Sequence, residues 1–184
     1  MVNEIEEKLK GMSKEEIQEL VKKQCLFCNI VNGNIESYKV YEDDNVMGVL
    51  DINPANKGHV ILFPKEHLQF LNDLDEKLLG HLFDVVNKLS NKMIDRLKAS
   101  GINIYIASGQ GAGQNLPHIA VHVIPRYEND KIAFGWNPKK LNKNDFENIT
   151  KELKTNKISK IEVKKVKKIK PKVVKAKKFE ERVP

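Results

Sequence analysis

Seven apolar side chains frame the fold. Over about residues 75–99, Leu78 and Leu79 are followed by Leu82, Val86, Leu89, Met93 and Leu97 at three- and four-residue intervals. An α-helix gathers such positions on one face, so the spacing predicts one long amphipathic helix. A stripe that apolar must be covered, and the flanking sequence offers segments of a different period. Residues 38–41, 46–50 and 59–63 precede the helix, and residues 102–107 and 118–124 follow it. Each is short, rich in β-branched or aromatic residues, and bounded by turn formers such as Asp43-Asp44-Asn45, Pro54, Gly58, Pro64 and Pro125. The order lacks the regular strand–helix alternation of a parallel sheet. It predicts an α+β fold, with an antiparallel sheet carrying the helix on one face.

The ends of the chain read differently. Residues 2–10 look helical up to Gly11, and Ser13-Lys-Glu-Glu16 forms a capping-box pattern ahead of Ile17, Leu20 and Val21. A short helix near residues 145–153 closes the body. The expected organisation is a helical extension over 1–24, a folded domain over 25–156 and a tail over 157–184. Charge separates the tail from the rest. It holds eleven Lys and one Arg against three Glu, a net of +9, so the other residues carry −2 of the overall +7. Its apolar residues Ile158, Ile161, Val166, Ile169 and Val173 make only a weak helical stripe. A solvated, disordered tail is the plainer reading. Nonspecific, salt-sensitive contact with nucleic acid is the sharper one, though Phe179 is its single aromatic and offers no stacking ladder. No run of eighteen apolar residues occurs, and the first sixteen residues lack a secretory apolar core. A cytoplasmic location with no membrane partner is the expectation.

Two cysteines spaced Cys25-Leu-Phe-Cys28 suggest metal or redox chemistry rather than a disulfide. A redox pair belongs at a helix start after a strand. This pair follows a predicted helix and leads into Ile30-Val31, which reads as strand-like. Zinc fits better but needs two further ligands. The histidines available are His59, His67, His81, His118 and His122. His81 falls near the polar side of the long helix and reads as a surface residue. Side chains alternate along a strand, so His118, Ala120 and His122 share one face while Ile119, Val121 and Val123 pack behind. The preceding loop, Ser108-Gly-Gln-Gly-Ala-Gly-Gln114, can converge backbone N–H groups on an anion. A hydrogen-bonded histidine pair lining an ordinary groove fits the same spacing.

Several stretches occur in an order that resembles the histidine triad (HIT) superfamily of nucleotide hydrolases and transferases. They are Cys25-Leu-Phe-Cys28-Asn-Ile, Tyr38-Lys-Val-Tyr41-Glu-Asp, Leu50-Asp-Ile-Asn-Pro54, Gly58-His59, Phe63-Pro-Lys-Glu-His67, Ala112-Gly-Gln114 and His118-x-x-x-His122-Val-Ile-Pro-Arg126. They span roughly residues 25–127. The resemblance implies a five-stranded antiparallel sheet with one long helix, dimerising into a ten-stranded sheet, and a purine nucleotide or nucleotide conjugate as ligand. It places Asp51 and Ile52 at the ribose and base, Val49 and Ile61 along the base pocket, and Gln114 and Asn115 at the phosphate region, with His122 as a further nucleotide contact and the candidate catalytic residue. The zinc-bearing branch implies Cys25, Cys28, His67 and His118 as ligands of a structural Zn2+, with His59 as a hydrogen-bonded support.

One departure bears on the chemistry. The family's middle triad histidine attacks the α-phosphate, and here that position is Ala120. A methyl group has no lone pair and cannot act as nucleophile. Ala107 and Leu116-Pro117 also depart from the family pattern, which favours divergence over a single introduced change at 120. The leading expectation is a nucleotide-binding protein with weak or absent nucleotidyl hydrolase activity. The alternatives are an α-phosphate hydrolase or transferase, including His122-assisted attack by water, and a scaffold tethered to nucleic acid by its tail.

Overall fold

Alternation with period two builds a sheet with two different faces. In this computed structural model, which describes residues 11–154, the strands are β1 (Lys39–Glu42), β2 (Val46–Leu50), β3 (Val60–Pro64), β4 (Gly101–Tyr105) and β5 (Val121–Arg126). All pairings are antiparallel, in the order β1-β2-β3-β5-β4. The helices are α1 (Lys14–Gln24), α2 (Leu26–Val31), α3 (Glu76–Leu97) and α4 (Lys143–Leu153). The expected helix at 2–10 and the lysine-rich tail lie outside the described residues.

The predicted long helix is α3. Its Leu82, Val85, Val86, Leu89 and Met93 are buried against Val46, Val60, Leu62, Val121 and Val123 of the sheet. Each large aliphatic side chain so buried contributes about 1.5–3 kcal/mol. Asp75 caps the helix by accepting from the Leu78 N–H. The opposite sheet face carries Met47, Val49 and Phe63, which pack with Cys25, Phe27, Cys28 and Ile30. Phe27 stacks on Phe63 with ring centroids 4.3 Å apart.

Three local readings change. Ile30 and Val31 lie in the six-residue helix α2, not in a strand. Phe27, Cys28 and Ile30 are buried on its sheet side, and so short an apolar run does not reveal its period. His118 and Ile119 precede β5, which instead runs through Pro125 to Arg126. The Arg126 carbonyl accepts from Ser100 beside β4, so Pro125 faces the β3 side. Pairing with β3 has already ended at Val123, and the missing proline N–H leaves no ladder bond unmade.

His81 is the third change. It is bonded rather than simply solvated, with its Nε2 2.6 Å from Asp43 Oδ2. Tyr41 donates to the same carboxylate, and the Asn45 and Val46 N–H groups donate to its other oxygen. This network ties the β1–β2 turn to α3.

The described residues through Phe134 form one compact unit, and those from Gly135 a second. In the second, Asn142 and Asp145 make a capping box at the start of α4, whose Phe146, Ile149 and Leu153 are exposed. No helix among the described residues is long and apolar enough to cross a membrane.

Gly58, between β2 and β3, has φ +87°, and a Cβ there would lie 2.5 Å from Leu97 Cδ1. Gly58→Ala therefore combines backbone strain with overpacking, and we expect a loss of about 2 kcal/mol in chemical denaturation. A loss below about 0.5 kcal/mol would mean that loop and helix yield freely. Burial alone would raise the Asp43 carboxyl pKa, but the bonds it accepts hold it well below the ordinary range. A depressed folded-state pKa gives stability that is complete above the unfolded value near 4 and is lost as pH falls through the folded one. Asp43→Asn is expected to cost about 1–2 kcal/mol at pH 7. Its deficit against the parent chain shrinks below about pH 4, and an equal deficit at pH 7 and pH 3 by urea titration would refute the assignment.

Candidate functional site

Four side chains from three separated segments meet at one end of the sheet. Cys25 caps α2, Cys28 lies in its first turn, His67 follows β3, and His118 precedes β5. The Cys28 Sγ to His67 Nδ1 distance is 3.2 Å, and His118 Nδ1 lies 3.4 Å from Cys25 Sγ and 3.8 Å from Cys28 Sγ. Tetrahedral zinc, with Zn–S near 2.3 Å and Zn–N near 2.1 Å, requires S···N edges of about 3.6 Å. The observed distances bracket that value. All four donor atoms lie within 4.8 Å of one another.

The protonation pattern also suits a cation. His118 Nε2 donates to the Pro64 carbonyl at 3.0 Å, which leaves the Nδ1 lone pair facing the sulfurs. Burial pushes the His118 pKa down to about 4, keeping the ring neutral. Burial, with help from Cys25, pushes the Cys28 thiol up to about 12. A metal bound here would replace the thiol protons and offset the charge of two buried thiolates. The residues fit a closed Cys2His2 centre.

Beside this cluster opens a cavity of about 660 Å³. Its floor is a row of cross-strand partners, Val49–Ile61–His122–Tyr105, running over β2, β3, β5 and β4. Partners in register point to the same sheet face, so the antiparallel pairing delivers an apolar end and an imidazole end. The expected Asp51, Ile52, Gln114 and Asn115 line the same space, with Ile52 largely exposed at the rim. Ala120 lies between His118 and His122 in the lining. Leu26, Phe27 and Ile30 of α2 and Tyr105 also line it, and none was singled out from the sequence. Their signal was present, since Leu26 and Ile30 share a face of α2 once that run is read as helical.

The polar groups differ in how free they are. Gln114 spends its amide on the chain: Oε1 accepts from Gly109 N–H, and Nε2 donates to the Gln69 and Leu116 carbonyls. Asn115 makes no side-chain hydrogen bond among the described residues and faces the cavity. Asp51 accepts from the Asn53 N–H, with its second oxygen 3.3 Å from His59 Nδ1.

The imidazole tautomers follow from one backbone group. Ala55 N–H donates to His59 Nδ1 at 3.1 Å, so that nitrogen carries no proton. Its separation from Asp51 is therefore proximity and not a hydrogen bond. His59 must hold its proton on Nε2, 3.0 Å from His122 Nδ1. That nitrogen accepts, so the proton of the cavity-lining His122 sits on Nε2, the nitrogen not engaged with His59. Burial lowers the pKa of both histidines, and neutral rings follow at pH 7, with Asp51 opposing the shift at each. His122 thus offers the cavity a hydrogen-bond donor, not a base.

This constellation has counterparts. The HIT domain family matches residues 32–129. A HIT-like protein of Borreliella burgdorferi is 48% identical over 112 residues, covering 60% of this chain and 81% of its own. Among solved structures, a zinc-bound histidine triad family protein from Mycobacterium smegmatis is 35% identical with a TM-score of 0.58, covering 64% of this chain and 86% of its own. A histidine triad nucleotide-binding protein from Candida albicans is 27% identical with a TM-score of 0.63, covering 71% and 94%. The family match covers more than half of the chain, the five-stranded sheet and long helix agree with the solved structures, and the chain belongs to the HIT domain family.

Proposed function

We propose that the cavity binds a purine nucleotide or nucleotide conjugate and turns it over weakly or not at all. The observation that carries this reading is the cavity's polarity. The apolar pair Val49 and Ile61 leads to the His122 imidazole and the Asn115 side chain, and the lining between His118 and His122 carries the Ala120 methyl, which has no electron pair to offer. The base lies along Val49 and Ile61, near Ile52. The Asp51 carboxylate, with lone pairs to spare, accepts from ribose hydroxyls. Phosphate oxygens take the His122 Nε2 proton as a hydrogen bond, a charge-assisted contact. The nucleotide-binding neighbour from Candida albicans supports the ligand class.

Hydrolysis would need an electron pair delivered to phosphorus. Ala120 has none. Water attack assisted by His122 is opposed by the tautomer, because the nitrogen not engaged with His59 already carries its proton. Loss of a covalent nucleophile lowers turnover by about 10⁴–10⁶. Cys25, Cys28, His67 and His118 would hold a structural Zn2+, which pins α2, the 65–71 segment and the start of β5 together. The zinc-bound neighbour supports that metal. Homodimerisation into a ten-stranded sheet belongs to the same reading, and edge strand β4 exposes Ile104 and Tyr105.

The test is AMP binding by calorimetry together with single-turnover AMP release from an adenosine phosphoramidate, for this chain and for Ala120→His. Both should bind AMP, and the histidine form should release product at least about 10³ faster. Absence of AMP binding at millimolar concentration would sink the nucleotide reading. Comparable turnover by the two chains would sink the missing-nucleophile reading. Elemental analysis should find one zinc per chain, and Cys28→Ser should lose it along with about 10 °C of Tm. A metal-free parent chain of unchanged Tm would overturn the structural role.

A further inference from the structure

The segment after β3 and the loop before β5 are laced together between two candidate metal ligands. From His67 onward, the Leu68 carbonyl accepts from Ile119 N–H at 2.8 Å, and the Gln69 carbonyl accepts from Gln114 Nε2 at 2.8 Å. The Leu71 N–H then donates to Ser108 Oγ at 3.1 Å. Three ties in four residues join this strap to the whole span 108–119. Within the loop, Gln114 also accepts from Gly109 N–H at 2.7 Å and donates to the Leu116 carbonyl, so one side chain closes the turn and hangs it on the strap. Both strands of the lacing start or end at the cluster: the strap leaves from His67, and the loop arrives at His118.

We propose that the metal centre sets the shape of the loop over 108–116, and that metal and nucleotide binding are therefore coupled through the strap, with Gln114 as a positioning residue. The argument rests on reading the cavity as a nucleotide site. It departs from the expectation that the Gln114 amide meets phosphate, since that amide is fully engaged with backbone. Four ligands drawn from α2, the strap and the start of β5 hold the strap at a fixed offset from the loop. The three ties pass that offset to Ser108, Gln114 and, beyond it, Asn115. Without the metal, His118 keeps its bond to the Pro64 carbonyl, but His67 has only the Cys28 thiol as a polar contact, and the strap that leaves from it can shift, carrying the loop with it. A bound phosphate favours the same loop shape and so favours the metal. Coupling of this kind is reciprocal: the factor by which AMP tightens zinc equals the factor by which zinc tightens AMP.

The experiment measures zinc affinity of the full chain by competition with a chromophoric chelator, with and without saturating AMP. AMP should tighten zinc about 5- to 50-fold. In Ser108→Ala and Gln114→Leu the factor should fall toward one, while zinc affinity without AMP stays within about twofold. A Gln114 that served only to bind or to fold would lower AMP affinity alike in loaded and stripped protein and leave the factor intact, which would overturn the proposal. So would a full-sized factor in both variants, since that result assigns the coupling to global unfolding. Zinc affinity indifferent to AMP in a chain that binds AMP rejects the coupling alone. Failure of the zinc-loaded chain to bind AMP rejects the nucleotide reading beneath it.

Discussion

The segment from His118 through Val123 serves two environments at once, and most of the molecule is arranged around that division. Ile119, Val121 and Val123 are fully buried under α3. His118, Ala120 and His122 face the other way, toward α2 and the cavity. A register shift of one residue would exchange these sets, placing imidazoles in an aliphatic core and valines in the cavity. The apolar half therefore locks the position of the polar half. Its buried side chains supply the free energy that holds neutral histidines in low-dielectric surroundings. Each buried imidazole has a partner: His118 has the Pro64 carbonyl, and His59 has Ala55 N–H and His122. Among the described residues no buried side-chain nitrogen or oxygen is left unpaired. Satisfaction of this kind keeps a polar cluster from destabilising the fold that presents it.

The His59–His122 pair shows how a backbone group can set the chemistry of a cavity. A donor at one imidazole nitrogen fixes the proton on the other, and the chain of bonds passes that choice to the next ring. Gly58 makes this possible, because its positive φ turns the chain tightly enough for Ala55 N–H to reach the His59 ring in the same loop. The outcome is a hydrogen-bond donor on a cavity-lining ring that needs no net charge. A charged ring would attract phosphate more strongly but would have to overcome desolvation, and burial lowers the pKa of both rings.

Features governed by periodicity were legible in the sequence. Residues 78–97 carry a helical stripe long enough to be unambiguous, and α3 occupies it. The five strands follow alternating runs with turn formers between them. Short or nonperiodic elements were not legible. Six residues of α2 hold too few turns to distinguish helix from strand, so the cavity-lining role of Leu26, Phe27 and Ile30 was hidden with it. Pro125 read as a stop, because its tolerance depends on which neighbour it faces, a property of pairing and not of composition. His81 read as solvated because its partner, Asp43, lies 38 positions away. The metal-ligand set required three distant segments to meet, and no spacing rule within one segment reports that. Gln114 marks the same limit within the site. Its residue type suits phosphate contact, yet its bonds to Gly109, Gln69 and Leu116 make it a brace.

Ala120 can then be weighed against what surrounds it. A cavity under no demand to hold a ligand has little reason to set a carboxylate at Asp51 beside the bonded His59–His122 pair, since well-packed aliphatic replacements of buried polar clusters are often neutral or stabilising. The structure instead carries a donor at His122, a ribose-compatible carboxylate at Asp51 and an engaged loop brace at Gln114, around one position with no electron pair. Transition-state stabilisation by a donor accelerates a reaction only if something attacks. On the nucleotide reading, with attack removed, the same donor would stabilise a bound anion. On that reading, the geometry that would serve turnover in a chain with histidine at 120 would serve retention in this one.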